Sequence, residues 1–256
     1  MALELRLVKT ATDAVAAQRL AREAVWLREL GEVRSLEGQL PRLIEQGTDA
    51  SGRPYLMIGI HPEEAVNAGE TRAFTGGHAR FLASLGKARF RAAEFDMSGK
   101  CEWIRRSLPA GMPLLQEAYY DCERALLYWT GPYVLSQGDF APWNIRRFGE
   151  QLFVFDWGNA HADASPLDDV LHYLMIQRRL KTVPLLRRAM RSAHEFALAA
   201  YPEWSWRPQV IGALTLVYLL GVILHRGVNN NDRAVDPVVD AYWKLLEKRS
   251  AWMKES

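Results

Sequence analysis

The stretch Leu135-Ser136-Gln137-Gly138-Asp139-Phe140-Ala141-Pro142-Trp143-Asn144, followed by Phe153-Val154-Phe155-Asp156-Trp157-Gly158, decides the reading of the whole chain. An acid, Asp139, stands five residues before an amide, Asn144, and a second acid, Asp156, closes an apolar run seventeen residues after the first. Gly149-Glu150 supplies a tight hairpin turn between residues 144–148 and 151–156. The segment is therefore predicted to fold back on itself and gather the three side chains. That set suits phosphoryl transfer. One acid accepts or orients the proton of an attacking hydroxyl, while an amide and a second acid offer oxygen ligands to magnesium, a hard cation. Asp139 is the candidate base, and Asn144 and Asp156 are the candidate metal ligands.

Upstream, Leu3, Leu5 and Leu7 alternate with polar residues and predict a half-buried strand ending near Lys9. Residues 13–30 change to a helical period, with Val15, Leu20, Ala24, Leu27 and Leu30 sharing a face and Gly31 as a stop. Residues 39–46 and 54–60 read as two strands joined by the turn Thr48-Asp49-Ala50-Ser51-Gly52. Beyond Pro62 the chain is predominantly helical. Residues 71–85 and 113–130 are amphipathic, and helices resume at about Pro166, interrupted near 202–208 and 229–236. A small mixed lobe over residues 1–62 and a large helical lobe over residues 63–256 follow from this pass.

Bulk composition narrows the function. The chain has 256 residues, 49% hydrophobic and 24% charged, with a formal net charge of +2. This is globular composition. The near-neutral charge gives no basic stripe for nucleic acid and no case for a membrane-surface partner. The longest apolar run, residues 210–224, is shorter than a membrane span needs and reads as a buried core helix. Cys101 and Cys122 form no CxxC pair and no disulfide framework, so a reducing cytoplasm is the expected compartment. The six histidines show no metal-ligand spacing. Trp204, Trp206, Trp243 and Trp252 are expected in the core rather than around a cationic ligand. Between residues 159 and 207 there are five acidic residues and seven basic ones, two of them Arg178 and Arg179, which leans toward an anionic or sugar-like acceptor.

The catalytic string resembles that of the aminoglycoside phosphotransferase and choline kinase superfamily, usually written H-G-D-x-x-x-x-N with a later apolar strand ending in Asp-Trp or Asp-Phe. The resemblance extends to Leu7-Val8-Lys9, similar to the strand carrying the phosphate-binding lysine. It also covers Ala21-Arg22-Glu23-Ala24, similar to the helix whose glutamate pairs with that lysine. Leu40-Pro41-Arg42-Leu43, Gly52-Arg53-Pro54-Tyr55-Leu56-Met57 and Pro166-Leu167-Asp168-Asp169-Val170 fit the family's next strands and a later helix start. Asp169 reads equally as a first-turn helix acid. The resemblance implies an α+β, two-lobed protein-kinase-like fold with a reduced N-terminal β lobe and a large, mainly helical C-terminal lobe. It implies ATP and Mg2+ as co-reactants, a small-molecule hydroxyl as acceptor, and Lys9 and Glu23 as nucleotide-binding residues. Ala141 stands where protein kinases generally carry lysine, and no long activation segment follows Gly158, so a peptide acceptor is disfavoured.

Two departures qualify the pattern. Gln137 replaces the family histidine, and its amide can both donate and accept hydrogen bonds in that place. Only eight residues precede Lys9, too few for the family's glycine-rich loop and its two strands. A catalytically weak or inactive kinase-like scaffold, holding a nucleotide or a protein partner, is therefore the alternative.

Overall fold

The computed structural model describes residues 5–60, 66–67, 73–88, 97–127, 129–177, 181–226 and 236–253. In chain order the elements are β1 (Leu5–Thr10), α1 (Ala14–Gly31), β2 (Arg42–Thr48), β3 (Pro54–Ile60), β4 (Val66–Asn67), α2 (Gly76–Lys87), α3 (Met97–Ser107) and α4 (Pro113–Leu126). There follow β5 (Val134–Ser136), β6 (Ile145–Phe148), β7 (Gln151–Val154), β8 (His161–Ala164), α5 (Asp168–Ile176), α6 (Val183–Ala200), α7 (Pro208–Arg226), α8 (Pro237–Glu247) and α9 (Arg249–Met253). The chain packs as two compact units. One takes the described residues of Met1–Ala93 with Leu135–Ala162, and the other those of Glu94–Val134 with Asp163–Ser256. Pro62, Arg178 and Arg179, which the sequence reading uses for the seam and the charge balance, lie outside the described residues.

The first unit is built on an antiparallel sheet in the order β1-β3-β2. Its β2–β3 turn is fixed locally: the Asp49 carboxylate accepts from the backbone N–H of Ser51 and of Arg53, each at 2.9 Å, and from the Ser51 hydroxyl at 2.7 Å. These donors, the Ser51 hydroxyl first, hold that acid down to about 2. In register, Lys9 on β1 lies opposite Leu56 on β3. The buried stripe of this sheet comes from Leu56 and Ile58 on the central strand. Leu5 is half-buried, but Leu7 is exposed, so the apolar alternation of β1 does not mark a buried face as the pattern predicted. β1 is an edge of the sheet, where pairing rather than burial sets the strand.

Helix α1 starts where Asp13 caps it, its carboxylate accepting from the N–H of Ala16 at 2.8 Å. Its buried positions are Glu23, Ala24, Leu27 and Leu30, one stripe at helical spacing, while Val15 at the first turn is exposed. A charged residue inside that stripe needs a partner, and Glu23 has one in the site described below. A second sheet, in the order β4-β6-β7, carries the hairpin predicted from Gly149, whose φ of 58° permits the tight turn. The Val154 N–H donates to the Gln39 carbonyl at 2.9 Å and ties this hairpin to the segment before β2. β5 and β8, the strands on either side of the segment that carries Asp139 and Asp156, pair with each other.

The second unit is helical. α7 is its centre, with Val210 to Leu220 buried without interruption and Ile223 and Leu224 buried after them. Each such side chain contributes about 1.5–3 kcal/mol by leaving water. By length and composition α7 is apolar enough to cross a membrane, but 72% of that stretch is buried inside the fold, as suits a core helix. Thr215, one of the polar interruptions, returns its hydroxyl to the Ile211 carbonyl at 2.8 Å. Tyr218 and Tyr242 satisfy each other across α7 and α8 at 2.8 Å. Arg249 at the start of α9 reaches α4, donating to Asp121 at 3.0 Å and to Glu117 at 2.7 Å.

Candidate active site

The segment that carries Asp139 and Asn144 leaves β5 through Gln137 and Gly138. Gly138 has φ +82°, and a Cβ there would stand 2.3 Å from the Asn159 carbonyl oxygen, so the turn admits glycine alone. Gln137 is fully buried and clasps two loops at once. Its Oε1 accepts from the N–H of Asp139 at 2.9 Å, and its Nε2 donates to the carbonyls of Phe155 and Asp156 at 3.1 and 2.7 Å. The amide thus both donates and accepts, as its chemistry allows in the histidine's place.

A 3-10 turn over Pro142–Asn144 follows. It turns Asn144 inward, where Nδ2 donates to the Asp139 carbonyl and to Asp139 Oδ2, both at 2.9 Å. The Asn144 carbonyl in turn accepts from the Phe155 N–H at 3.1 Å, which locks the end of β7 to the turn. Asp156 then adopts φ 64° and ψ 64°, the left-handed region, and is the one non-glycine residue with positive φ among the described residues. That conformation costs an L-residue about 1–2 kcal/mol. It is sustained by the Gln137 amide on its carbonyl and leaves its carboxylate about half exposed.

The N-terminal elements bring a cation to this carboxylate. Lys9 Nζ bonds both oxygens of Glu23 at 2.8 Å and Asp156 Oδ1 at 3.3 Å. Glu23 is 1% exposed. Burial raises its carboxyl above the usual range, and the Lys9 ammonium opposes that rise. α1 is anchored to the residues after Asp156: Arg22 donates to the Gly158 carbonyl at 3.4 Å and Trp26 Nε1 to the Ala160 carbonyl at 3.0 Å. Removing the lysine would strand a buried carboxylate, a change that costs about 3–5 kcal/mol when the charge has no other outlet.

Helix α2 floors the loop. Phe81 stacks on Phe140 with centroids 5.9 Å apart, and His78 meets the same ring edge-on at 6.1 Å. Trp157 lies 6.4 Å from Phe81 and donates to the Val154 carbonyl at 3.0 Å. All five candidate residues, Lys9, Glu23, Asp139, Asn144 and Asp156, fall in one unit and are joined by these contacts.

Three side chains near the site were not singled out from sequence. His78 and Phe81 carry no local signal, since a helix face gives no hint of what it supports. Arg146, whose guanidinium sits 5.2 Å from the Phe155 centroid, is equally silent in the sequence. Trp143 was visible as a large apolar residue inside the motif, but its direction was not. Trp206, Trp243 and Trp252 are buried, their indoles donating to the Tyr201 carbonyl, Glu247 and the Leu245 carbonyl. Asp169 is buried in the first turn of α5, beside Asp168, which accepts from the Ser165 hydroxyl at 2.9 Å.

Among the described residues no cluster of three or more His, Cys, Asp or Glu side chains is arranged to hold a metal by protein ligands alone. An amide oxygen and one carboxylate are instead the donor set of a hard cation that keeps water and substrate phosphate in its shell, which is how magnesium is usually held. Asn144 and Asp156 fit that requirement.

No protein-family model matches the sequence, and no curated protein matches it. Solved structures do. The GDP complex of wild-type aminoglycoside 2'-phosphotransferase-IIIa superposes with a TM-score of 0.61 at 14% identity, over 96% of this chain and 86% of that one. A thermostable mutant of aminoglycoside phosphotransferase APH(4)-Ia gives 0.61 at 13% identity, over 98% and 87%. A choline/ethanolamine kinase family protein from Mesorhizobium loti gives 0.59 at 16%, over 98% and 87%. The chain therefore has the α+β, protein-kinase-like fold of the aminoglycoside phosphotransferases and of choline/ethanolamine kinase relatives.

Proposed function

We propose that this chain is an ATP- and magnesium-dependent phosphotransferase whose acceptor is a hydroxyl of a small molecule. The observation that carries this reading is the meeting of Lys9, Glu23 and Asp156, drawn from β1, α1 and the end of the hairpin, on a scaffold that also fixes Asp139 and Asn144. The solved neighbours add support: they are aminoglycoside phosphotransferases, one with GDP bound and another with ADP.

In this mechanism Asp139, held by Asn144 and by its own N–H on Gln137, accepts the proton of the acceptor hydroxyl as the oxygen attacks the terminal phosphorus. The new O–P bond forms as the bond from that phosphorus to the bridging oxygen breaks, and the nucleoside diphosphate leaves with the electron pair. Lys9, pinned by Glu23, neutralises phosphate oxygens. Asn144 and Asp156 would hold magnesium, which when bound supplies positive charge against the triphosphate. The Asp156 carboxylate is half exposed, with Oδ1 3.3 Å from Lys9 Nζ, so a metal–nucleotide complex can reach it.

The test is a thermal-shift titration with ATP or GTP and magnesium on the wild type and on Asp156→Ala, followed by product detection with Asp139→Asn. A ligand that binds only the folded chain raises its melting temperature. The expected outcome is a magnesium-dependent rise lost in Asp156→Ala, and phosphorylated product lost in Asp139→Asn with the nucleotide-induced rise retained. A wild type that shows no rise with either nucleotide sinks the reading in favour of a scaffold that does no chemistry.

A further inference from the structure

Between Phe140 and Ile145 every side chain is buried except one. Phe140, Ala141, Pro142, Asn144 and Ile145 are inside, while Trp143 is 49% exposed. An indole in water forgoes one of the largest apolar burials a side chain offers, so its outward position must be imposed. The 3-10 turn imposes it. Closed by Asn144 N–H on the Ala141 carbonyl at 2.9 Å, it turns Asn144 toward Asp139 and so turns the residue before it out.

The exposed ring is still tied to the site. Trp143 Nε1 donates to Asp139 Oδ2 at 3.4 Å, the same oxygen that receives Asn144 Nδ2. An indole N–H lies in the plane of its ring. The Asp139 carboxylate therefore sits near that plane, beyond the ring's edge, and the ring faces flank the approach to the carboxylate. A molecule offering a hydroxyl to Asp139 from the indole side lays its carbon skeleton beside the ring.

We propose that Trp143 is the acceptor platform: its N–H positions Asp139, and its exposed face stacks on the C–H face of a neutral sugar or cyclitol whose hydroxyl takes the phosphoryl group. Beside the ring the Asp139 carboxylate and the Arg146 guanidinium offset each other, which suits a neutral acceptor. The Arg146 guanidinium donates to the Trp143 carbonyl at 3.4 Å and to the Ile145 carbonyl at 3.2 Å, on the backbone that carries the ring. This proposal rests on the phosphotransferase reading for the identity of the reacting group, not for the binding surface.

The test uses the full chain labelled with 5-fluorotryptophan and followed by fluorine NMR, with the Trp143 line assigned as the one absent from Trp143→Phe. With magnesium-ADP present, D-glucose and myo-inositol are titrated, with choline as the cationic comparator. The Trp143 line is expected to shift saturably with at least one of the two neutral rings, and Trp143→Ala to weaken binding of that ring about tenfold in a parallel calorimetric titration. Asp139→Asn is expected to shift the same line before any acceptor is added, a signature that a side chain merely filling space would not give. A Trp143 line indifferent to both rings, or one that moves with choline alone, overturns the proposal. If magnesium-ADP leaves the melting temperature unchanged while the line still moves with a ring, the platform stands and the phosphotransferase reading falls.

Discussion

Lowering the pH should loosen the floor of the catalytic loop through a single residue, His78. Its Nδ1 accepts the Thr75 N–H at 3.1 Å at the start of α2, so the neutral ring carries its proton on Nε2. Protonation would place a hydrogen on Nδ1, against that donor. Burial, with the Arg147 cation as a smaller contribution, pushes the imidazole down from 6.5 to about 4. Above pH 6.5 the group is neutral in both folded and unfolded chains. Between 6.5 and about 4 the unfolded chain binds a proton that the folded chain refuses, so stability falls as pH falls. The loss amounts to about 1 kcal/mol at pH 5.5 and about 3 kcal/mol by pH 4. The comparison is His78→Gln, which keeps a capping-box residue at this helix position and removes the titration. Urea unfolding at pH 7, 5.5 and 4 should show the wild type losing stability relative to the variant by those amounts. Parallel loss in both proteins would show that His78 is not the group that titrates, and the reasoning would fail.

Three further outcomes are expected. Gly138→Ala, which forces a Cβ onto the Asn159 carbonyl in a left-handed conformation, should abolish turnover and lower the melting temperature, read by calorimetry alongside product formation. Gln137→Ala should cost about 3 kcal/mol or more in urea unfolding, because the N–H of Asp139 and the carbonyls of Phe155 and Asp156 lose their partner together; a change under about 1 kcal/mol would mean that water replaces the clasp. Arg249→Ala should destabilise the second unit by about 1–3 kcal/mol through its bonds to Asp121 and Glu117, with the deficit shrinking in high salt.

The sequence was most legible where backbone constraint is local. Gly138, Asp139 and Asn144 lie within one short segment, and each has a conformation or bond that a few neighbouring residues dictate. The hairpin around Gly149 was readable for the same reason. Glu23 was visible as a partner for Lys9 only through the resemblance. Nothing in helical periodicity says that a glutamate in the apolar stripe lies almost wholly out of water, because its partner is on another element. Val15 shows the reverse error, an apolar residue on the expected face that the fold leaves exposed. The stacking of Phe81 on Phe140 and the reach of Arg249 to Asp121, 128 residues away, depend on contacts that no window of sequence contains.

The first unit is discontinuous, and this sets an order of events during synthesis. Its strands and α1 leave the ribosome early, but Gly158 and Ala160, the acceptors for Arg22 and Trp26, follow 136 and 134 residues behind their donors. At about 5–20 residues per second the emerging sheet waits several seconds for the hairpin that completes it. Meanwhile Glu23 has Lys9 but not the 157–160 segment that buries it. A chain stalled or cleaved before Leu135 would leave uncovered the part of α1 that meets residues 157–160, a species that chaperones bind and proteases cut. Assembly of the Lys9, Glu23 and Asp156 cluster is thus the last step of this unit's folding, so a complete cluster reports a complete chain up to β8.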